Sequence, residues 1–216
     1  MKKAQAILVL SFLMFSQKMI AQFSQLELAS GIAKTDFTSF SIRPIDDEKT
    51  VSISTLAFFQ KFHEEENTIY DELGVQTAAF WNFSKNNSIG PSLYYNSVSG
   101  FSERLSFLFS TKTKNFSFTA IPSIAHMEST KFINGEVFVQ IQWVQPIKNE
   151  WNALLSATML THWDQFSTHS RSFQQLRLGL SYKTSQFGFA TDFDQYGKTP
   201  KTETSIGLFV RKTFTN

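Results

Sequence analysis

The chain has 216 residues, with 20 Lys and Arg against 18 Asp and Glu, 42% hydrophobic residues, 24 Phe and no cysteine. The lack of cysteine excludes a lipoprotein anchor, a disulfide framework and thiolate metal sites. A charge balance this close to neutral gives no reason to expect nucleic acid as a partner.

Residues 1–21 read as a secretory signal. Lys2 and Lys3 form the positive start, residues 6–15 (AILVLSFLMF) the apolar core, and residues 16–21 a polar exit, with cleavage expected after Ala21. The apolar run is too short to span a membrane as a helix, and no later run reaches the roughly 18 residues that such a helix needs. Removing Lys2, Lys3 and Lys18 lowers the basic count from 20 to 17 against 18 acids. Residues 22–216 are expected to form one domain.

Beyond residue 22 the chain alternates, and period-two alternation marks strands with one apolar and one polar face. Residues 25–33 set Leu26, Leu28 and Ile32 against Glu27, Ala29 and Gly31. A turn is expected at 34–36, and 37–44 carries Phe40 and Ile42 opposite Phe37, Ser39, Ser41 and Arg43. A charged turn at 46–49 leads into 51–62 (VSISTLAFFQKF), which is apolar on both faces and so of undetermined orientation. Residues 63–72 (HEEENTIYDE) form the most acidic segment and the longest loop, with His63 beside Glu64, Glu65 and Glu66. Strand 75–84 puts Val75, Thr77, Ala79, Trp81 and Phe83 on one face. Strands 88–97 and 101–111 form a hairpin, followed by 116–126 and by 132–145 with Val137, Val139, Ile141 and Trp143 aligned.

The clearest stretch is 151–164 (WNALLSATMLTHWD), where Trp151, Ala153, Leu155, Ala157, Met159, Thr161 and Trp163 share one face. Two tryptophans twelve residues apart span about 40 Å of strand. Tilted about 45°, that strand rises roughly the height of a hydrocarbon core. An apolar stripe bracketed by interfacial aromatics is the pattern of a transmembrane β-barrel strand. Strands 172–184, 187–196 and 203–214 complete a set of twelve, an even number as a single-chain barrel requires. Pro91 and Pro122 fall inside proposed strands, where a missing N–H predicts bulges or displaced boundaries.

Charged residues sort by face. Arg43, Arg104, Arg177, Asp192, Asp194 and Arg211 all take the polar parity, while Lys61, Glu103 and Lys212 lie near strand ends. Arg or Lys on the lipid face near midplane costs about 2–4 kcal/mol, so this segregation suits a barrel with a wet interior. The expected fold is all-β, a closed antiparallel up-and-down transmembrane barrel of about twelve strands. Trp81, Trp143, Trp151, Trp163 and Tyr182 are expected to form its interfacial girdle. The rival fold is a soluble periplasmic β-sandwich acting as a binding protein.

The signal ending Ile20-Ala21-Gln22, the aromatic-rich hairpins and the closing run from Gly207 to Phe214 (GLFVRKTF) together resemble small Gram-negative outer-membrane barrels of the Bacteroidota type. The resemblance implies insertion in outer-membrane lipid and a closing aromatic read by the barrel-assembly machinery. Phe214 is the residue at that place, although Thr215 and Asn216 follow it.

Counting across expected turns predicts an Arg43–Glu27–Arg211 cluster inside the barrel and Arg177 facing Asp194, with Asp192 beside them. Buried charges of this kind must be paired. They either brace a plugged barrel or line an aqueous path and set its selectivity. His126, Glu128 and Ser129, near an outer strand end, are candidates for a lipid-hydrolysing group of base, orienting acid and nucleophile. His162 with Asp164 is expected as an inward hydrogen-bonded pair. No phosphate loop, dinucleotide fingerprint, calcium loop or zinc spacing occurs, so neither cofactor nor metal is expected. The expected role is a non-enzymatic outer-membrane component, structural or binding a protein partner, or a small porin-like channel. An outer-leaflet lipid-modifying enzyme is the alternative.

Overall fold

The structure, a computed structural model, describes residues 23–63 and 71–215. The expected signal peptide with its cleavage point, and Glu64, Glu65 and Glu66, lie outside the described residues. Twelve strands follow in order: β1 (Phe23–Gly31), β2 (Lys34–Pro44), β3 (Val51–Phe62), β4 (Glu72–Trp81), β5 (Asn87–Asn96), β6 (Gly100–Lys112), β7 (Phe116–Met127), β8 (Ile133–Lys148), β9 (Trp151–Asp164), β10 (Thr168–Tyr182), β11 (Ser185–Tyr196) and β12 (Lys201–Phe214). Each pairs antiparallel with its chain neighbours, and β1 closes on β12 from Ser24 opposite Phe214 to Gly31 opposite Gly207. Closure satisfies every sheet edge, which is the condition for strands to stand in lipid. Two apolar layers pressed together, the rival arrangement, are not what the chain forms.

Alternation dictates the two faces. Leu178, Leu208, Val210, Phe189 and Ile206 stand exposed on the outside. Their chain neighbours Arg177, Phe209, Arg211, Ala190 and Ser205 are buried inside. The undetermined strand is β3: Ser52, Gln60 and Phe62 face in, while Phe59 faces out.

Three local expectations need correction. The first hairpin turns at 32–33, and Lys34 and Asp36, expected as turn residues, belong to β2. Their charges point inward, where Lys34 finds carboxylate partners, and Ser205 Oγ accepts from the backbone N–H groups of Ala33 and Lys34. Neither Pro91 nor Pro122 produces a bulge. Pro91 pairs with Leu105 on β6, and only the β4 ladder is interrupted beside it, with unchanged register on either side. Pro122 pairs with Val137 on β8 while the β6 ladder is interrupted, again without a shift. Each proline turns its missing N–H toward one neighbour and leaves the other ladder whole. The bulges fall elsewhere, between Pro146 and Lys148 and between His169 and Arg171.

The wall bends sharply where β12 meets β1. A Cβ on Gly207 would stand 2.0 Å from Ser30 O and 2.3 Å from Gly31 Cα, so only glycine permits the approach. Cα atoms of β1 and β11 come within 8 Å of each other across β12.

Candidate functional site in the lumen

The barrel interior is filled by side chains. An open lumen would leave inward charges in water, yet Lys34, Arg177 and Arg211 are 2%, 2% and 3% exposed, and Asp194 is 1%. At mid-height Glu27 bridges two arginines: Arg211 Nη2 lies 2.5 Å from Glu27 Oε2, and Arg177 Nε donates to Glu27 Oε1 at 2.9 Å. Arg177 Nη1 also donates to Asp192 Oδ1 at 2.7 Å, and Arg211 Nη1 reaches Gln186 and, on β8, Gln142. Both guanidinium groups lie about the Phe209 ring, which packs with Ala29, Leu154 and Ala190 into a small apolar core. Filling the lumen with hydrocarbon as well as ion pairs removes the water that would otherwise solvate the charges.

Small residues open the route for these contacts. Arg177 pairs with Ala190, Ala190 with Gly207, and Gly207 with Gly31. With nothing larger than a methyl along that row, Arg177 can lie across two intervening strands to reach Glu27 on β1.

A second layer lies toward the loops of the β3–β4 and β9–β10 ends. Lys34 Nζ contacts Asp194 at 2.6 Å and Asp36 at 3.0 Å, as close ion pairs. Arg171 on β10 pairs with Glu72 on β4 and reaches Gln60 on β3, whose amide donates to Tyr196 OH at 2.8 Å. Asn96 donates to Glu72 and to Tyr94 OH, and the Arg104 guanidinium lies 3.9 Å from the Tyr94 ring centre. Arg104 Nη1 donates to Glu136 Oε1 at 2.5 Å, and Glu136 Oε2 stands 3.1 Å from His162 Nδ1. Asn134 Nδ2 completes the chain to Asp164 at 3.0 Å.

β4 and β10 stand six places apart in the twelve-strand ring, directly opposite each other. A round barrel of this size, with strands about 4.8 Å apart and tilted about 40°, would be roughly 24 Å across. Arg and Glu side chains cannot span that together. Their contact therefore requires a cross-section flattened at this end, with the opposed walls drawn together over the lumen.

The structure brings together Glu27, Arg211, Arg177 and Asp192, but not Arg43. With the turn at 32–33, Glu27 falls opposite Thr38, and Arg43, expected in the lumen, shares the outward parity of Phe37 and lies against Ile53 on β3. Asp194 joins Lys34, because a turn at 183–184 sets Arg177 opposite Ala190. His126, Glu128 and Ser129 stay apart: His126 lies 3.5 Å from Glu103, and Ser129 Oγ donates to Ser99 O. Trp81, Trp143, Trp151, Trp163 and Tyr182 all face outward, and Trp151 stacks beside Tyr182 at 5.0 Å and Phe187 at 6.1 Å. Phe214 is exposed at the end of β12, opposite Ser24. Sequence reasoning missed Lys34, Asp36, Glu72 and Arg171 as lumen residues. Arg104 and Glu136 carried the right parity, with the small Ala125 between them on β7 as the available signal.

Outside the membrane, two carboxylates fasten hairpin ends. The Thr50 hydroxyl, with the Val51 and Thr50 amides, donates to Asp46 and holds its carboxyl below the usual carboxylate range. Lys61 Nζ and the Phe62 amide do the same for Asp71.

Among solved structures, the chain is similar to outer-membrane barrels. The NanC porin superposes with a TM-score of 0.53 at 8% identity, covering 88% of this chain and 98% of that one. The KdgM porin gives 0.47 at 10% identity, covering 89% and 99%. An outer membrane channel from Pseudomonas putida F1 gives 0.48 at 8% identity, covering 92% and 97%. No protein-family model and no curated protein matches the chain in sequence. The fold is that of the outer-membrane β-barrels. The outward apolar belt with its aromatic girdle places the protein in the outer membrane.

Proposed function

We propose that this barrel is a closed component of the outer membrane that works from its surfaces, as a structural or partner-binding element, and not by conducting solutes. The observation that carries this reading is the ion pair between Arg171 and Glu72 on opposed strands, above a lumen whose mid-height is filled by Glu27, Arg177, Arg211 and Phe209. Buried ions are stable only when fully paired, so the lattice resists opening. Phe214, exposed at the end of the closing strand, suits recognition by the barrel-assembly machinery, and lipid of the outer membrane covers the belt.

Planar-bilayer recording tests the reading. The wild type is expected to be silent, and so is the double variant Glu72→Gln, Arg171→Gln, whose mid-height plug is intact; conductance steps from the wild type overturn the reading. A small porin-like channel is the second reading, favoured by the hydroxyl-lined wall of Ser102, Ser106 and Ser123. It requires wild-type steps whose ion selectivity shifts on Arg177→Gln.

A further inference from the structure

A lumen closed to solutes directs attention to the outer face, where two regions depart from the apolar rule: Ser39, Ser41, Arg43 and Thr55 on β2 and β3, and a group on β9, β10 and β11 in which a histidine meets a serine. Thr161 and Trp163 on β9 have Ser172 and His169 on β10 as their cross-strand partners. Ser172 is paired on its other side with Gln195 of β11, and Gln174 lies between Met159 and Phe193. By alternation with the exposed Leu176, Leu178 and Leu180, these polar groups share the lipid-facing side. On the same face of β12 stand Ile206, Leu208 and Val210. Polar side chains set against lipid are expensive and mark function.

The bulge between His169 and Arg171 creates the arrangement. Residues 169 and 172 would fall on opposite faces of a regular strand; one extra residue re-aims His169 onto the face of Ser172. His169 Nε2 then stands 2.8 Å from Ser172 Oγ. His169 Nδ1 lies 2.9 Å from Gly197 O, in a turn where Gly197 takes a left-handed φ of 84°. A carbonyl only accepts, so Nδ1 carries the proton, and in the neutral ring Nε2 keeps its lone pair. Ser172 Oγ donates to Thr161 Oγ1 at 2.9 Å, Thr161 Oγ1 also accepts from Trp163 Nε1 at 2.8 Å, and the indole stands edge-on to the imidazole at 5.5 Å. Turning the Ser172 hydroxyl from Thr161 to the Nε2 lone pair 2.8 Å away aligns nucleophile, base and the carbonyl that orients the base, the pattern of an activated serine. Ser172 is buried, at 6% exposed, so an ester reaches Oγ only by displacing the side chains that cover it. Trp163 fixes the depth at the head-group boundary, where the ester bonds of lipids lie.

We propose that Ser172 and His169 form a hydrolytic site for carboxylic esters of outer-leaflet lipids, taken from the membrane side. Ser172 Oγ attacks the ester carbonyl carbon while its proton passes to His169 Nε2 and the carbonyl electron pair moves to oxygen. Collapse of that oxyanion breaks the bond to the alcohol, which leaves with the proton from His169. Water, deprotonated by the same nitrogen, then attacks the acyl-serine and releases the fatty acid, returning the proton to Ser172. Gln174 and Gln195, beside Ser172 in register on this face, are the amide-bearing side chains assigned to the oxyanion. This site is separate from the lumen, so conductance decides the preceding reading and ester hydrolysis decides this one.

The test uses the folded barrel in detergent and in vesicles, with folding checked by heat-modifiable gel mobility. A fluorophosphonate probe should form its adduct on Ser172, located by peptide mass spectrometry. Fatty-acid release is followed from vesicles of phosphatidylethanolamine and phosphatidylglycerol and, separately, from vesicles containing lipopolysaccharide, which distinguishes the two ester sources. Ser172→Ala should abolish both readouts, and His169→Asn should slow them roughly 100-fold or more. Ser129→Ala should leave them unchanged. An adduct on another serine, or neither adduct nor release in either vesicle type from the wild type, overturns the proposal.

Discussion

Two walls of the lumen are built from opposite materials. The wall of β10, β11, β12, β1 and β2 carries Arg177, Asp192, Asp194, Arg211, Glu27 and Lys34, all buried. The wall of β5, β6 and β7 carries one buried charge among the described residues, Arg104, and is otherwise lined mainly by small hydroxyls, among them Ser88, Ser92, Ser102, Ser106 and Ser123. Its links are short and local, such as Ser106 to Ser123 at 2.8 Å and Ser110 to Thr119 at 3.1 Å. The first wall projects into the barrel, and the second recedes to make room. Long charged side chains on one wall and serines on the other close the lumen, where two walls of either kind would clash or leave a pore.

Removing Glu27 should break the contrast most severely. Glu27→Ala leaves Arg177 and Arg211 buried without their shared carboxylate, and stranding a buried charge costs about 3–5 kcal/mol. The urea midpoint in detergent should fall accordingly. The serine wall should respond far less: Ser106→Ala with Ser123→Ala removes both partners of one hydrogen bond, an exchange that is nearly neutral. The same denaturant series reads both. The smallest effect belongs to the loops. Asp71 has its carboxyl held below the usual range, mainly by the hydrogen bond from Lys61. Its contribution is therefore complete above the unfolded value near pH 3.9 and is lost as pH falls through the lower folded value. Hydrogen exchange at the Phe62 amide should stay slow at neutral pH, quicken in acid, and be fast at neutral pH in Asp71→Ala, which removes the acceptor.

Much of this architecture is legible in the chain because alternation is a local property. The parity of Trp151, Leu155, Met159 and Trp163 assigns β9 to the lipid with no other knowledge, and the same parity sends Arg104, Arg177 and Arg211 inward. Neighbour pairs follow where a turn is placed correctly, as Glu27 with Arg211 across the closing seam. They fail where it is not: an error of a few residues at the first hairpin moved Glu27 from Thr38 to Arg43. Lys34 and Asp36 misled because charged residues usually mark turns, and here ion pairing inside the barrel outweighs that tendency. Contacts across the lumen had no local signal. Glu72 and Arg171 meet because the whole ring is flattened, which no window of sequence encodes, although the row Ala190, Gly207 and Gly31 shows where an inward arginine has space to lie.

The most direct measurement is a double-mutant cycle on Glu72 and Arg171, using Glu72→Gln, Arg171→Gln and the pair, with unfolding free energies in detergent. Side chains touching across the barrel should show a coupling of about 0.5–3 kcal/mol. Additive losses, agreeing within about 0.5 kcal/mol as for distant sites, would mean that the opposed walls do not meet and that the lumen is not held shut.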